Sequence, residues 1–420
     1  PPVVSTSIIA YFLSFMNTQM NVKITALYWI LLSLITMSCE GQESQLHKPS
    51  SLDPLPGSYH LSQYIPPLGN QRVGLVVNHT SMIDQTHLVD SLISLGVDIK
   101  VIWAPEHGFK GTAYNGEKIE DDVYNDQIEI RSLYGKNKKP SDEDLSKVDI
   151  VIFDIQDVGA RFYTFISTLH YVMEAAAENA VKVVILDRPN PNGHYIDGPI
   201  RTEDLKSFVG MHPVPIVYGM TIGEYGQMIN GEQWLKNNVE CELTVIENSN
   251  YNHKTYYELP IPPSPNLPNQ RSILLYPSLC LIEGTVVSAG RGTDMPFQVF
   301  GHPDFPNSGF QYTPKSMSSS KYPKHQDKVV NAVDLRPINE ASIISASGLN
   351  LSYILQAYEN LKEKEGDFFL KSNFIDKLSG TREFKKQVLS GMNEEQIKAS
   401  WKEDIEGFKK IRRKYLLYED

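Results

Sequence analysis

The chain is short of basic charge, of cysteine and of the common cofactor and nucleophile motifs, and each shortage closes off a class of function. Its 39 Lys and Arg stand against 50 Asp and Glu, a formal charge of −11 with no long basic run. An electrostatic footprint for nucleic acid is therefore missing. Three cysteines in 420 residues exclude a disulfide scaffold. No G-x-G-x-x-G fingerprint opens a βαβ unit; the nearest look-alike, Gly290-Arg291-Gly292, follows no such start, so neither NAD nor FAD is expected. The G-x-S-x-G nucleophile elbow is missing too, which removes the support for serine esterase chemistry. His79, His107, Asp154 and Asp187 have the chemistry of metal ligands but not a metal-site spacing, so neither metal nor organic cofactor is expected. What remains is 41% hydrophobic and 21% charged, ordinary for a globular chain of two or three domains.

The first residues read as a targeting segment. One basic residue, Lys23, precedes the apolar run Ala26–Met37, which is too short to span a bilayer, and Ser38-Cys39 follows. This pattern, read from Met20, predicts that 1–38 are a signal peptide with residues upstream of it and, at Cys39, acylation as in a bacterial lipoprotein; a plain secreted protein is the alternative. The expected location is the cell envelope, periplasmic or at the outer membrane, with a lipid anchor as the only membrane contact. Residues 39–57 are polar and Ser/Pro/Gly-bearing and read as a tether. Cys241 and Cys280 have no ligand spacing around them and are expected as buried free thiols.

From Arg72 onward, Val- and Ile-rich runs alternate with helical patterns. Arg72–Val77, Ile99–Trp103, Asp149–Phe153 and Val181–Leu186 read as strands, and Val214–Tyr218 as a further one. Thr86–Leu95, Phe165–Ala177 and Thr221–Trp234 read as helices between or after them. Continuous apolar strands separated by helices predict an α/β fold, a Rossmann-like, doubly wound parallel sheet, over 58–235. The remainder, 236–420, has another texture and is expected as a smaller α+β auxiliary domain. It carries five prolines at 260, 262, 263, 265 and 268, which demand an extended, ordered loop. Ser272–Gly301 then reads as strand and turn, and helical patterns dominate from Ser352.

In such sheets, ligands bind outside the carboxyl ends of the strands. Each strand end here carries polar groups: Asn78-His79-Thr80, then Glu106-His107-Gly108, then Asp154-Ile155-Gln156-Asp157 with Arg161 and Tyr163 behind, and finally Asp187-Arg188. Asp and Asn at such places often only cap helices. Glu106-His107 is less easily explained that way, because Gly108 and Gly111 predict a shaped loop. Carboxylates with arginine suit hydrolysis of a glycosidic bond, where a protonated carboxyl works opposite a second one.

At these residues the chain resembles the NamZ-type exo-β-N-acetylmuramidases, glycoside hydrolases of bacterial peptidoglycan. The matching segments are GLVVNHTS at Gly74, PEHGFKG at Pro105, SLYG at Ser132, DIQDVGARFYTF at Asp154, DRPNPNG at Asp187 and YGMTIGE at Tyr218. PSPNLP at Pro263, YPSLCLIEGT at Tyr276, GRGTDMPFQVFGHP at Gly290 and RRKYLLY at Arg412 continue the series. The resemblance implies release of terminal N-acetylmuramic acid from the non-reducing end of peptidoglycan fragments, in a cleft between a Rossmann-like catalytic domain and an auxiliary domain. It also implies that Glu106, in PEHG, is the catalytic glutamate, here assigned as general acid beside Trp103 and Phe109. For the second carboxylate, Asp157 is the first choice, followed by Glu283 and Asp154. The lactyl carboxylate of the sugar calls for an arginine fork, with Arg161 and Arg291 chosen and Arg188 third. Asn78, His107, Tyr163 and Asn266 complete the expected substrate contacts. A non-catalytic peptidoglycan-binding lipoprotein and a metal-dependent hydrolase or deacetylase are the rival readings. The chain departs from the family pattern at Ala289, where Glu is usual, and at Lys110, Asn192, His194 and Ile128–Arg131.

Overall fold

Seven strands form the central sheet: β1 Arg72–Val77, β2 Asp98–Ala104, β3 Asp122–Tyr124, β4 Ile128–Ser132, β5 Ile150–Asp154, β6 Lys182–Leu186 and β7 Leu243–Ile246. The computed structural model describes residues 52–420 except 115, 118, 119 and 365. The expected signal segment, Cys39 and most of the expected tether lie outside the described residues. Leu55 and Gly57 are already part of the fold: Leu55 pairs with Ser249, and the Gly57 N–H donates to the Asp187 carbonyl.

The spatial order is β3-β4-β2-β1-β5-β6-β7, and every neighbouring pair is parallel except β3 with β4. Leaving the antiparallel edge strand aside, this is the Rossmann order. The chain winds outward from β1 through β2 to β4, then returns to β5 and winds the other way. The switch point therefore lies between β1 and β5. Strand β5 is buried throughout and β1 in all but its first residue, as a sheet covered on both faces requires. The helix Phe165–Glu178 supplies part of that cover, and Ile222–Gly231 more of it, the latter started by a capping box of Thr221 and Glu224.

Three expectations are corrected. Val214–Tyr218 is not a sheet strand: Val217 makes only isolated bridges to Ala160 and Asp197. The outer parallel strand is instead Leu243–Ile246, so the sheet continues past the boundary expected at residue 235. Gln270–Leu279 is a helix, not strand and turn, because Asn269 and Ser272 close a capping box at its start. The rest of the chain carries a smaller antiparallel sheet of Val299–His302, Gln311–Tyr312 and Val330–Asp334, followed by helices from Glu340 to Arg412.

One hydrophobic core runs through both parts. Tyr276, on the helix after the proline loop, packs edge-on against Phe162 and Tyr163 on one side and Phe297 on the other. The C-terminal tail adds polar ties. Arg412 donates to the Gly219 carbonyl, and the Tyr418 hydroxyl donates to Asp187 at 2.7 Å. Cys241 and Cys280 are buried free thiols. Among the described residues, no helix is long and apolar enough to cross a membrane.

Candidate active site

Glu106 sits in the turn that follows β2, beside the switch point of the sheet. The turn departs from ordinary backbone: His107 has φ +72°, Gly108 +76° and Gly111 +65°. At Gly111 a side chain is also excluded by contact, since a Cβ would fall 1.9 Å from His79 Nδ1. Thr164 precedes the helix Phe165–Glu178, yet its side chain does not cap that helix. Its hydroxyl donates to Glu106 Oε2 at 2.8 Å instead. Tyr134 lies within electrostatic reach of Glu106, whose charge, after burial, helps to raise the pKa of the Tyr134 hydroxyl. Trp103 and Phe109 do not form the expected apolar wall. Trp103 is buried in the core against Gly74, and Phe109 packs on His87 and Tyr124. The alternation of side chains along β2 and the reversed turn after it account for this.

His107 shares a ring nitrogen with the Ala113 carbonyl, Nδ1 to O 2.7 Å. Burial lowers its pKa, opposed by the charge of Glu106, and Arg291 is near enough to act in the same sense as burial. His79 Nε2 bonds the Pro262 carbonyl at 2.8 Å, which ties the end of β1 to the proline loop. Asn78 turns Oδ1 toward the Thr80 amide and hydroxyl, while its buried Nδ2 has no partner among the described residues.

Asp157, after β5, is buried and half satisfied. Its Oδ2 accepts from the Gly159 amide at 2.8 Å and from the Tyr218 hydroxyl, whereas Oδ1 has no partner among the described residues. Burial pushes its pKa up to about 6 against those two hydrogen bonds. Gly159 adopts φ +73°, and a Cβ there would meet the Asn190 amide at 2.4 Å. Tyr163 lies within electrostatic reach of both Asp157 and Glu106 and donates its hydroxyl to the Pro263 carbonyl at 2.8 Å. It therefore links the two carboxylates to the proline loop.

Other expected site residues are braces. Arg188 grips Asp154 through Nε at 2.6 Å and Nη2 at 2.9 Å, with both side chains buried. Arg161 is buried and gives its two terminal nitrogens to the carbonyls of Pro199, Val214, Leu378 and Ser379. Burial brings its pKa down to about 9, so it stays cationic at neutral pH while joining the sheet half to the C-terminal helices. Asp187 accepts from the amides of Arg188 and Gly223, from Asn248 Nδ2 and from the Tyr418 hydroxyl. It does not join His79, His107 and Asp154 in a ligand set, and no such group of three or more appears among the described residues.

The second part of the chain supplies the facing wall. Arg291 donates Nε to Glu283 Oε2 at 2.8 Å and lies over the Phe297 ring. Burial would raise the Glu283 pKa, but Arg291 and Lys324 hold it below the usual carboxylate range. Lys324 is fixed by the carbonyls of Glu283, Thr285 and Val287. These three charged residues line a cavity of about 270 Å³ with Tyr114 and Ala289. Two cations against one carboxylate make this wall locally positive on a chain of net −11. Asn266 holds the wall in place, Nδ2 donating to the Ser319 carbonyl at 2.8 Å, and its buried Oδ1 has no partner among the described residues. Of the departures from the family pattern, Ala289 lies on this wall. Asn192 and His194 line a separate crevice with Tyr195 and Tyr353, Lys110 is exposed, and Arg131 pairs with Asp121 and Glu129 on the edge strand.

Family models match nearly all of the sheet and the wall: Exo-beta-N-acetylmuramidase NamZ, N-terminal, over residues 73–271, and its C-terminal counterpart over 274–418. The chain belongs to the NamZ family. It is 36% identical over 380 residues to the peptidoglycan beta-N-acetylmuramidase NamZ of Bacillus subtilis, covering 85% of this chain and 89% of that one. Two crystal structures of DUF1343 family proteins from Bacteroides fragilis are similar. One has TM-score 0.80 and 45% identity, covering 88% of this chain and 99% of that one. The other has TM-score 0.75 and 28% identity, covering 88% and 100%. In this NamZ-family chain, the N-terminal match holds Glu106, Asp157 and Asn266, and the C-terminal match holds Glu283 and Arg291.

Sequence reasoning did not pick out Thr164, Tyr134, Tyr218 or Lys324. The first three lie inside the quoted segments DIQDVGARFYTF, SLYG and YGMTIGE, so the segments pointed to them without their roles. Lys324 lies in none of the quoted segments.

Proposed function

We propose that this chain is an exo-acting glycosidase that releases terminal N-acetylmuramic acid from the non-reducing end of peptidoglycan fragments, with Glu106 as general acid. The observation that carries this reading is the pair of strand-end carboxylates with unspent capacity. Glu106 is oriented by Thr164 and is only partly buried, and Asp157 keeps Oδ1 without a partner among the described residues. Glu106 gives its proton to the leaving oxygen of the glycosidic bond. Asp157 serves as the second carboxylate, stabilising positive charge that develops at the anomeric carbon. Arg291 and Lys324 supply the field that draws in the lactyl carboxylate of an anionic sugar. The relative from Bacillus subtilis carries the name of this activity, which supports the substrate class.

The chain is also proposed to be exported and, through Cys39, anchored by lipid at the cell envelope; the apolar run before Ser38 supports this. Mass spectrometry of products from a defined muramic-acid-terminated disaccharide tests the activity. Free N-acetylmuramic acid is expected from the native chain and none from Glu106→Gln. Glycan binding without any product after long incubation would replace hydrolysis by a binding role.

A further inference from the structure

A second cavity lies next to the one lined by Arg291. It measures about 520 Å³ and is lined by Thr112, Ala113, Tyr114, Glu117, Met317, Ser318 and Lys321. It is wider and more open to solvent than the 270 Å³ cavity. The two share Tyr114 and Lys321, which stand at their junction with the Lys321 ammonium 5.8 Å from the centre of the Tyr114 ring. The chemistry of the two chambers differs. Besides the shared Tyr114 and Lys321, the inner one holds Arg291 and Lys324 beside Glu283, a setting for an anion; the outer one holds the hydroxyls of Thr112 and Ser318, Met317 and the Glu117 carboxylate.

The turn bearing Glu106 is tied to both chambers. His107 bonds the Ala113 carbonyl of the outer wall and lies within electrostatic reach of Arg291 on the inner wall. Tyr134 lies within electrostatic reach of Glu106. The loop that carries Tyr114 and Glu117 is shaped by the Tyr114 amide, which donates to Glu117 Oε2 at 2.9 Å. The acid is thus coupled to the place where one chamber gives way to the other.

We propose that the outer cavity is the leaving-group subsite, which holds a neutral N-acetylhexosamine while the inner cavity holds the terminal anionic sugar. The half-exposed Tyr114 ring gives the departing sugar an apolar face to lie on. Thr112, Ser318 and Glu117 supply hydroxyl and carboxylate partners for its hydroxyl and acetamido groups. The bond to be broken then spans the Tyr114–Lys321 junction. This inference rests on the hydrolase reading above.

The test compares two donors: a muramic-acid-terminated disaccharide, whose leaving group fills the outer cavity, and the corresponding muramyl fluoride, whose leaving group does not. For Tyr114→Ala, and separately for Lys321→Ala at an exposed position, the loss in kcat/KM on the disaccharide is expected to exceed that on the fluoride at least tenfold. Equal losses on the two donors, or no loss on the disaccharide, would overturn the subsite. Failure of the native chain to hydrolyse either donor would instead sink the hydrolase reading, and the subsite with it.

Discussion

Two sets of carboxylates lie around the strand ends of one sheet (Glu224 from the first turn of the helix Ile222–Gly231) and differ in what surrounds them. Asp154, Asp187 and Glu224 are fully buried, and every carboxylate oxygen is occupied. Asp154 holds the Arg188 fork. Asp187 takes four hydrogen bonds, and Glu224 takes the amides of Thr221, Leu417 and Tyr418 together with His253 at 2.9 Å. Glu106 and Asp157 are held by fewer partners, and Asp157 keeps one oxygen with none among the described residues. A saturated carboxylate has no capacity left for a substrate, whereas a positioned but unsaturated one does. The difference separates the groups that fasten the tail and the sheet from those that keep room for a further partner.

Four changes break or sharpen that contrast. Glu106→Gln keeps the shape of the side chain and removes the proton it would give, so kcat is expected to fall by about 10²–10⁴-fold. The melting temperature should stay within a degree or two, which links the loss to chemistry. Arg188→Met strands Asp154 in the core and is expected to cost about 3–5 kcal/mol in urea unfolding. The double change Arg188→Met with Asp154→Leu should recover much of it, because the buried charge is then gone. A cost unchanged in the double variant would contradict the ion pair as its source.

The third change concerns pH. Asp157 titrates in the folded protein near 6 rather than at the ordinary 3.8, so the folded state binds this proton more tightly than the unfolded chain. Ionising the group as pH rises from about 4 through 6 therefore costs stability, about 3 kcal/mol above that range and nothing below it. Unfolding of Asp157→Asn and of the native chain at pH 4 and pH 7.5 checks the sign: the variant gains on the native chain as pH rises. The smallest effect belongs to Tyr418→Phe, which removes one hydrogen bond to Asp187 and is expected to cost about 1–2 kcal/mol. Because the tail packs on the sheet half through this contact, amide exchange in 416–420 should speed up alongside.

The strands of the sheet were legible because burial on both faces writes an apolar run that needs no partner to be recognised. Arg72–Val77 and Lys182–Leu186 differ from their expected ranges by one residue at most. The outer strands were harder. Asp122–Tyr124 and Leu243–Ile246 at the edges, and Ile128–Ser132 next to one edge, carry exposed or half-buried positions, and their patterns do not separate them from loop. Gln270–Leu279 hid its helix behind Pro277 and the proline loop before it. At the site, polar groups at strand ends marked the right crevice, and Glu106 stood out through the glycines beside it.

By itself, then, the sequence determined a parallel sheet, its crevice and the family to which its segments point. These follow from local apolar runs and from short stretches whose residues are neighbours along the chain. Tertiary structure alone decided which polar groups are spent. Arg161 and Arg188 read as substrate forks until distant carbonyls and Asp154 closed on them. Arg291 came to the crevice only through a fold that brings it, nearly two hundred positions along the chain, within electrostatic reach of His107. A hydrogen-bond partner is a property of proximity in space, and the linear order of residues does not carry it.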